Sequence, residues 1–335
     1  MFITDCYGRP VRGVRISVNP SYNCNFRCIF CHMEGVERRS SVIMSPIEIE
    51  KIVKIMKNYG VDKVKLTGGE PMLRRDILEI VERLGKLELR DLSMTTNGTR
   101  MVSMAKKLKK AGLMRVNISL HTVNKDKYCW ITGTQNKKSG RTRYDYLVDA
   151  IRAAIEAGLN PVKLNVVVMK NVNDDEIQDL INFTSEFGDK VILQLIELVE
   201  EGFADRDFYV KYYYNLKEIE ERFEKEAVKI ITRPLQMRKQ YLLPNGVWVE
   251  IVKPNNNYEF CMNDDRIRIT HDGKFKPCLM REDNLVDFLT PMRSGASEEE
   301  IEEIFRKAVK LREPFYKPSN IKPSSDKSIM YKEVA

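Results

Sequence analysis

The apolar residues of the chain fall into short β-branched runs separated by longer stretches with a helical period. Such runs are typical of buried strands. The stretches between them gather apolar residues on one face, as Ile49, Ile52 and Val53 do in a predicted helix at 46–59. Regular alternation of the two favours parallel strands joined by crossover helices. We predict strands at 14–18, 63–66, 92–95, 115–120, 162–169 and 191–196, and further helices at 77–84, 102–111, 144–157 and 176–187.

Periodicity leaves two arrangements open for these six units, a partly closed barrel or an open sheet. The pattern then changes, because a charged helix at 216–228 is followed by short apolar runs with turn residues between them. We predict antiparallel strands within 241–252 and 266–276. A last helix is expected after Ser297, which has the position of an N-cap residue.

The length of 335 residues suits one large domain and a smaller one. We place a larger domain at 1–230 and a smaller α+β domain at 231–335, which ends in a loose tail rich in proline and serine after Pro314. With 17 glycines, 13 prolines and 43% hydrophobic residues, the composition excludes a mainly disordered chain.

Charge and cysteine content narrow the function classes. The net charge of +8 suits an anionic substrate and does not require nucleic acid, since no clustered stripe of basic and aromatic residues is present. Apolar runs such as 166–169 are far shorter than the ~20 residues of a membrane span. Seven cysteines, in a chain that begins at Met1 without an apolar leader, predict reduced thiols in the cytoplasm.

Three of the cysteines, Cys24, Cys28 and Cys31, follow the first predicted strand with the spacing C-x3-C-x2-C. Thiolates this close along a loop can converge on one metal site. Zinc needs a fourth ligand to complete its tetrahedron, and His32 is too close to Cys31 along the chain to supply it easily. An iron–sulfur cluster held by three thiolates keeps one iron open for another ligand. The spacing favours the cluster and leaves zinc as an alternative.

This motif resembles the signature of the radical S-adenosylmethionine (SAM) superfamily. Thr67-Gly68-Gly69-Glu70-Pro71 resembles that superfamily's Gly-Gly-Glu motif, in which glycines let backbone groups approach the SAM amino group. More narrowly, residues 8–316 are similar to the MoaA family, the GTP 3′,8-cyclases of molybdenum-cofactor biosynthesis. Further segments that carry this resemblance are Gly8-Arg9-Pro10, Arg74-Arg75-Asp76, Thr95-Thr96-Asn97-Gly98, residues 115–120, 161–165 and 173–175, Phe260-Cys261, residues 266–270, Asp272-Gly273-Lys274 and Cys278-Leu279.

The resemblance implies an α/β fold, a partial (β/α)6 TIM-type barrel of the radical SAM superfamily with a smaller C-terminal α+β domain that closes the barrel. It also implies that Cys24, Cys28 and Cys31 bind a [4Fe-4S] cluster whose open iron binds SAM. An electron passed to that cluster splits SAM and yields a 5′-deoxyadenosyl radical. The positions that match the family's SAM contacts are Phe30 and Gly69 through their backbone, Ser119 and Val199.

By the same resemblance the substrate is GTP. A buried lysine or arginine needs an anionic partner, which a triphosphate supplies. The implied reaction takes hydrogen from the ribose C3′, joins C3′ to C8 of guanine, and gives (8S)-3′,8-cyclo-7,8-dihydroguanosine 5′-triphosphate; the enzyme is a lyase. The positions that match the family's substrate contacts are Arg15, Lys65, Thr95, Lys163, Arg266, Ile267 and Arg268.

The chain departs from the family pattern at the second cysteine region. The family holds a second [4Fe-4S] cluster through C-x2-C-x13-C, whereas this chain has Cys261, Asp264 and Cys278 at the three ligand positions. Asp264 could ligate iron as a harder oxygen donor, the cluster could be incomplete or absent, or the chain could be an altered form of an ordinary member. His121 stands where an aspartate is usual, and we interpret it as a hydrogen-bonding residue rather than a metal ligand. The chain also ends without the Gly-Gly tail of many bacterial members.

The predicted function is therefore that of a GTP 3′,8-cyclase, the first step of molybdopterin cofactor biosynthesis. One alternative is a related radical SAM enzyme acting on another nucleotide, with a lost or aspartate-ligated second cluster. A different class is a non-catalytic, redox-sensing metal-binding module. The resemblance implies an electron donor, a downstream cyclic pyranopterin monophosphate synthase and a homodimer as partners; neither nucleic acid nor a membrane is expected.

Overall fold

A twelve-stranded sheet forms the centre of the molecule in a computed structural model that describes residues 2–135, 141–323 and 331–332. Every strand and helix predicted before residue 200 is present, with ends shifted by at most two residues. The strands are β1 Phe2–Ile3, β2 Gly13–Asn19, β3 Lys63–Gly68, β4 Asp91–Thr96, β5 Arg115–Ser119, β6 Val162–Val168, β7 Val191–Glu197, β8 Lys229–Thr232, β9 Lys239–Leu242, β10 Trp248–Val252, β11 Arg266–Ile269, β12 Lys274–Lys276, β13 Val286–Asp287 and β14 Tyr331–Lys332.

Helices connect the parallel strands and cover one face of the sheet. α1 begins with a complete capping box in which Ser45 and Glu48 exchange hydrogen bonds, and Ser297 and Glu300 cap α11 in the same way. The α-helices are α1 Pro46–Lys57, α2 Ile77–Gly85, α3 Met101–Lys110, α4 Lys125–Thr132, α5 Arg143–Glu156, α6 Ile177–Ser185, α7 Arg206–Tyr212, α8 Lys217–Glu226, α9 Tyr258–Met262, α10 Leu289–Arg293 and α11 Glu298–Lys310. No helix in the described part of the chain combines the length and the apolar character needed to span a bilayer.

The order of the central strands decides between the barrel and the open, doubly wound sheet. Strands β2, β3, β4, β5, β6 and β7 lie side by side in chain order, and every neighbouring pair is parallel. A doubly wound sheet reverses its strand order at a switch point, whereas a barrel adds each strand beside the last. The six strands therefore form a partial barrel, which stays open because the sheet has two edge strands, β8 and β13.

The C-terminal strands extend both edges of this sheet. β9 and β10 form the predicted antiparallel pair, and so do β11 and β12. The purely antiparallel interpretation is nevertheless incomplete, because β10 also pairs in parallel with β7, and β11 with β2. These two parallel pairings could not be predicted, because the paired strands are far apart in the sequence and no local pattern marks them. The domain boundary at residue 230 falls inside β8 and stays a prediction, and part of the predicted loose tail lies outside the described residues.

Candidate active site

A cavity of about 820 Å³ lies on the face of the sheet opposite the helices and extends from the amino ends of the parallel strands, at Gly13, Lys63 and Asp91, to their carboxyl ends. In a barrel of parallel strands this end is where side chains from several strands converge. Both cysteine groups and nearly all predicted site residues line it. Ile267 is the exception: its side chain is fully buried, so it can reach a ligand in the cavity through its backbone alone. The predicted residues that line the cavity are Cys24, Cys28, Phe30, Cys31, Gly69, Thr95, Ser119, Lys163, Val199, Arg15, Lys65, Cys261, Asp264, Arg266, Arg268 and Cys278.

The loop that carries the first three cysteines is fixed in place by its neighbours. The backbone N–H of Ile29 donates to Ile131 O at 3.0 Å, and Phe203 N–H donates to Cys31 O at 2.9 Å. At Gly202, which has a φ of +65°, a Cβ would lie 2.4 Å from Cys31 O, so only glycine fits there. Backbone contacts with the end of α4 and with the segment at Gly202 and Phe203 thus fix the conformation of the loop.

The three cysteines of this loop are free thiols facing one cavity. Burial raises the pKa of all three, that of Cys31 to about 11, and the neighbouring sulfurs raise the pKa of Cys28 further. The raised pKa values favour the protonated thiols, whereas a bound cation would favour the thiolates. Three sulfur donors on one rigid loop fit an iron–sulfur cluster that keeps one iron open. Within the described residues, no three His, Cys, Asp or Glu side chains are grouped to hold a single metal ion.

The Gly-Gly-Glu segment joins the cysteine loop to the sheet. A Cβ on Gly69 would lie 2.3 Å from Asn23 O, immediately before Cys24, so close backbone packing alone requires glycine. The buried carboxylate of Glu70 accepts hydrogen bonds from Thr96 Oγ1 at 2.7 Å and from Asn97 N–H at 2.8 Å. Glu70 therefore ties the end of β3 to the end of β4 and positions this side of the cavity.

Predicted substrate residues form a row of basic side chains across three strands. Arg268, Arg15 and Lys65 are direct neighbours in the register of β11, β2 and β3. Like charges in adjacent positions repel one another. One buried carboxylate offsets part of that repulsion, because Glu34 binds Arg15 at 2.6 Å and Arg268 at 3.0 Å. Burial, reinforced by Arg115 and Arg15, keeps the pKa of Lys65 well below its usual range.

A second cationic group surrounds the buried carboxylate of Glu250. This carboxylate accepts a hydrogen bond from Lys163 and also pairs with Arg233 at 3.0 Å and Arg238 at 2.8 Å. Burial lowers the pKa of Lys163 to about 7 even though Glu250 acts in the opposite direction. Three cations share one anion here, so this part of the cavity carries an excess of positive charge suited to a polyanionic ligand.

The second cysteine region lines the same cavity. Asp264 Oδ1 accepts hydrogen bonds from Arg266 Nε and Gln236 Nε2, each at 3.1 Å. The guanidinium of Arg266 lowers the pKa of Asp264 although burial opposes this shift. Burial raises the pKa of Cys278, and the nearby sulfur of Cys261 raises it further. Asp264 is thus placed with the two thiols, while one of its oxygens already serves two protein donors.

Sequence reasoning missed the two carboxylates that organise the cations. Glu250 carried a detectable signal, because it is a charged residue in the middle of the apolar run Trp248–Val252. Glu34 carried a weaker one, three residues beyond Cys31. Its contacts with Arg15 and Arg268 join positions 19 and 234 residues apart, which only the folded sheet brings together.

Comparisons with known proteins agree with this arrangement. Residues 18–184 match the Radical SAM superfamily, and residues 191–318 match Molybdenum Cofactor Synthesis C. Among solved structures, Streptococcus suis SuiB bound to S-adenosylmethionine aligns with a TM-score of 0.57 at 19% identity over 80% of this chain and 60% of its own. Native anSMEcpe with bound AdoMet aligns with a TM-score of 0.57 at 19% identity over 88% of this chain and 81% of its own. The fold and the matched domain define a radical SAM protein.

Relatives with high sequence identity show which family of radical SAM proteins the chain belongs to. A probable GTP 3′,8-cyclase of Thermococcus kodakarensis is 47% identical over 317 residues, 93% of this chain and 99% of its own. A probable GTP 3′,8-cyclase of Methanocaldococcus jannaschii is 41% identical over 314 residues, 93% of this chain and 99% of its own. The chain belongs to the MoaA family of GTP 3′,8-cyclases.

Proposed function

We propose that the protein is a radical SAM enzyme that converts GTP to (8S)-3′,8-cyclo-7,8-dihydroguanosine 5′-triphosphate, the first step of molybdenum-cofactor biosynthesis. The observation that carries this proposal is a single cavity lined on one side by the loop of Cys24, Cys28 and Cys31, and on the other by two cationic groups. A volume of about 820 Å³ lies within the range of sites for cofactors and small ligands. Membership of the family supports the choice of GTP.

The cysteine side of the cavity would hold the cofactor. Cys24, Cys28 and Cys31 would ligate a [4Fe-4S] cluster, which together with SAM supplies a carbon radical able to remove hydrogen from a strong C–H bond. The residues proposed to bind SAM are Phe30, Gly69, Ser119 and Val199, which all line the cavity near this loop or at strand ends.

The cationic side would bind and orient the nucleotide. The row Arg268, Arg15 and Lys65 and the group around Lys163 lie on inward-facing positions of the sheet, where a triphosphate can satisfy several cations at once. Glu34 and Glu250 hold these cations in place before the substrate arrives, which reduces the ordering required on binding. The full proposed set is Arg15, Lys65, Thr95, Lys163, Arg266, Ile267 through its backbone, and Arg268.

For the second cysteine region we propose that Cys261, Asp264 and Cys278 ligate a second [4Fe-4S] cluster with one oxygen donor. The alternative is a related radical SAM enzyme without this cluster that acts on another nucleotide. One observation favours that alternative: Asp264 already accepts hydrogen bonds from Arg266 and Gln236, and iron would have to compete with both. An electron donor, a downstream cyclic pyranopterin monophosphate synthase and a homodimer complete the proposal as partners.

Anaerobic turnover tests the reaction. The reconstituted protein is incubated with SAM, dithionite and GTP, with ATP and CTP as parallel substrates and the triple variant C24A/C28A/C31A as the control. We expect equal amounts of 5′-deoxyadenosine and the cyclic product from GTP, and neither from the triple variant. SAM cleavage that does not depend on any purine nucleotide contradicts the substrate assignment, and a cyclic product from another nucleotide alone supports the alternative.

A further inference from the structure

His121 is a cavity-lining residue that the proposed site does not yet use. It lies two residues beyond the end of β5 and is only 4% exposed. Its backbone N–H donates to Asn165 O at 3.2 Å, and its carbonyl accepts from Asn173 Nδ2 at 2.7 Å. Its ring nitrogen Nδ1 accepts from the backbone N–H of Val167 at 3.2 Å. Backbone and ring are therefore both fixed.

The backbone conformation of His121 is itself unusual. Its φ is +64°, in the left-handed region that a residue with a side chain occupies at a cost of roughly 1 kcal/mol or more. Such strain persists where the surrounding contacts over-determine the geometry, and it is found most often at functional sites. The contacts from Asn165, Val167 and Asn173 provide that restraint.

These contacts also settle which ring nitrogen carries the proton. Burial lowers the pKa of His121 to about 3, so the imidazole is neutral near pH 7. A neutral imidazole has one N–H and one acceptor nitrogen, and Nδ1 already acts as the acceptor for Val167. The proton is therefore on Nε2. Across the described ranges, no hydrogen-bond partner accompanies this Nε2–H, and Nε2 is not among the fully buried atoms that lack a partner, so the donor is open to the cavity that His121 lines.

The surroundings of His121 indicate what the donor meets. Its ring packs edge-on against Phe30, with ring centroids 4.6 Å apart, and Ser119 lies two residues before it. Both belong to the proposed SAM site. Gly69, expected to face the SAM amino group, follows β3, which is two strands from β5 or about 10 Å across the sheet. A SAM molecule whose methionyl end lies at Gly69 would thus extend its adenosyl part toward His121.

We propose that His121 is a further cofactor-binding residue whose Nε2–H donates a hydrogen bond to an acceptor atom of the adenosyl part of SAM. This inference rests on the proposed function, because it assumes SAM in the cavity. It assigns His121 a direct contact with the cofactor, where the sequence alone indicated only a hydrogen-bonding residue.

Binding of S-adenosylhomocysteine and of 5′-deoxyadenosine to the reconstituted protein tests this contact, measured by equilibrium dialysis. In H121N the shorter amide keeps an acceptor for Val167 and tolerates the left-handed backbone, but it cannot reach the position of Nε2. In H121Q the longer side chain restores a donor at that reach. The control is H271N, because His271 is also buried but lies outside the cavity and contacts Ser40 O.

We expect H121N to weaken the binding of both ligands about tenfold, as for the loss of one hydrogen bond, H121Q to recover most of that loss, and H271N to leave affinity unchanged. Unchanged affinity in a folded H121N overturns the inference while the proposed function stands. If the wild-type protein itself binds neither S-adenosylhomocysteine nor 5′-deoxyadenosine, the proposed function fails and the inference with it.

A second measurement does not depend on a folded variant. In wild-type protein labelled with 15N-histidine, the ring nitrogen shifts of His121 should show a protonated Nε2 and an unprotonated Nδ1, and the Nε2 shift should move when S-adenosylhomocysteine binds. A proton on Nδ1 instead, or a resonance that the ligand does not move, overturns the inference.

Discussion

The substitution Glu250→Gln removes the carboxylate that pairs with Lys163, Arg233 and Arg238. The change keeps the shape of the side chain and one acceptor oxygen, so the main effect is electrostatic. Glu250 and Lys163 are both buried, and Arg238 is 9% exposed at its side chain. Arg233 is 32% exposed, and solvent screens its share of the interaction.

Removing one partner of a buried ion pair leaves uncompensated charge and costs about 3–5 kcal/mol. Because two of the three cations are buried, we expect the free energy of unfolding of E250Q to fall by about this amount at pH 6, where Lys163 is mostly charged. A triphosphate would supply the missing negative charge. GTP should therefore stabilise E250Q against unfolding more than it stabilises the wild-type protein.

Urea unfolding with and without GTP measures both effects. The matched control is Glu224→Gln, which breaks an ion pair with Lys239 whose side chains are 40% and 41% exposed; a surface pair of this kind contributes less than about 1 kcal/mol. A loss in E250Q no larger than in E224Q would refute the assignment of Glu250 as the organising anion. An equal effect of GTP on E250Q and wild type would refute the placement of the triphosphate beside Lys163.

The remaining predictions concern charge and metal content. Lys163 has a pKa of about 7, so it is mostly neutral at pH 8 in the free protein. A bound triphosphate favours the charged form of Lys163, so GTP binding should take up a proton at pH 8 and much less at pH 6. Calorimetry in buffers of different ionisation enthalpy measures this proton uptake. Proton release at pH 8 would contradict this. Arg268→Met should weaken GTP binding at least about thirtyfold, because a buried charged contact with the phosphates is worth about 2 kcal/mol or more. Guanosine has no phosphates, so its binding should be nearly unchanged. Equal losses of affinity for both ligands would place Arg268 at the base instead. The iron content after reconstitution should be about eight atoms per chain in the wild-type protein and about four in the triple variant C24A/C28A/C31A. A variant that also carries D264A should bind almost no iron. Only about four iron atoms in the wild-type protein would mean that Asp264 supports no cluster.

Local sequence patterns were sufficient for most of the barrel elements. The strands β2 to β7 could be predicted because each carries apolar residues on the face away from the cavity, as Val14, Ile16 and Val18 do in β2. Ser45 with Glu48 marked the start of α1 because capping is a local interaction. Four short helices, α4, α7, α9 and α10, were missed. They are five to eight residues long, too short for a helical period to stand out.

For the cavity, too, some features could be predicted from the sequence and others could not. The spacing of Cys24, Cys28 and Cys31 predicts a metal-binding loop, since all three sulfur donors lie within eight residues. The cationic residues were expected at the site only through resemblance to the family. Their grouping around Glu34 and Glu250 had no local signal, because each carboxylate contacts residues from distant parts of the chain.

The sequence by itself determined the strand and helix alternation, the first cysteine loop and the family to which the chain belongs. Only the tertiary structure decided that the sheet forms an open barrel, that C-terminal strands extend both its edges, and that His121 presents an Nε2–H donor beside Phe30. The physical reason is the range of the interactions involved. Helix periods, caps and ligand spacings act between near neighbours in the chain, whereas strand order, charge pairing and the tautomer of a buried histidine depend on groups that meet only after folding.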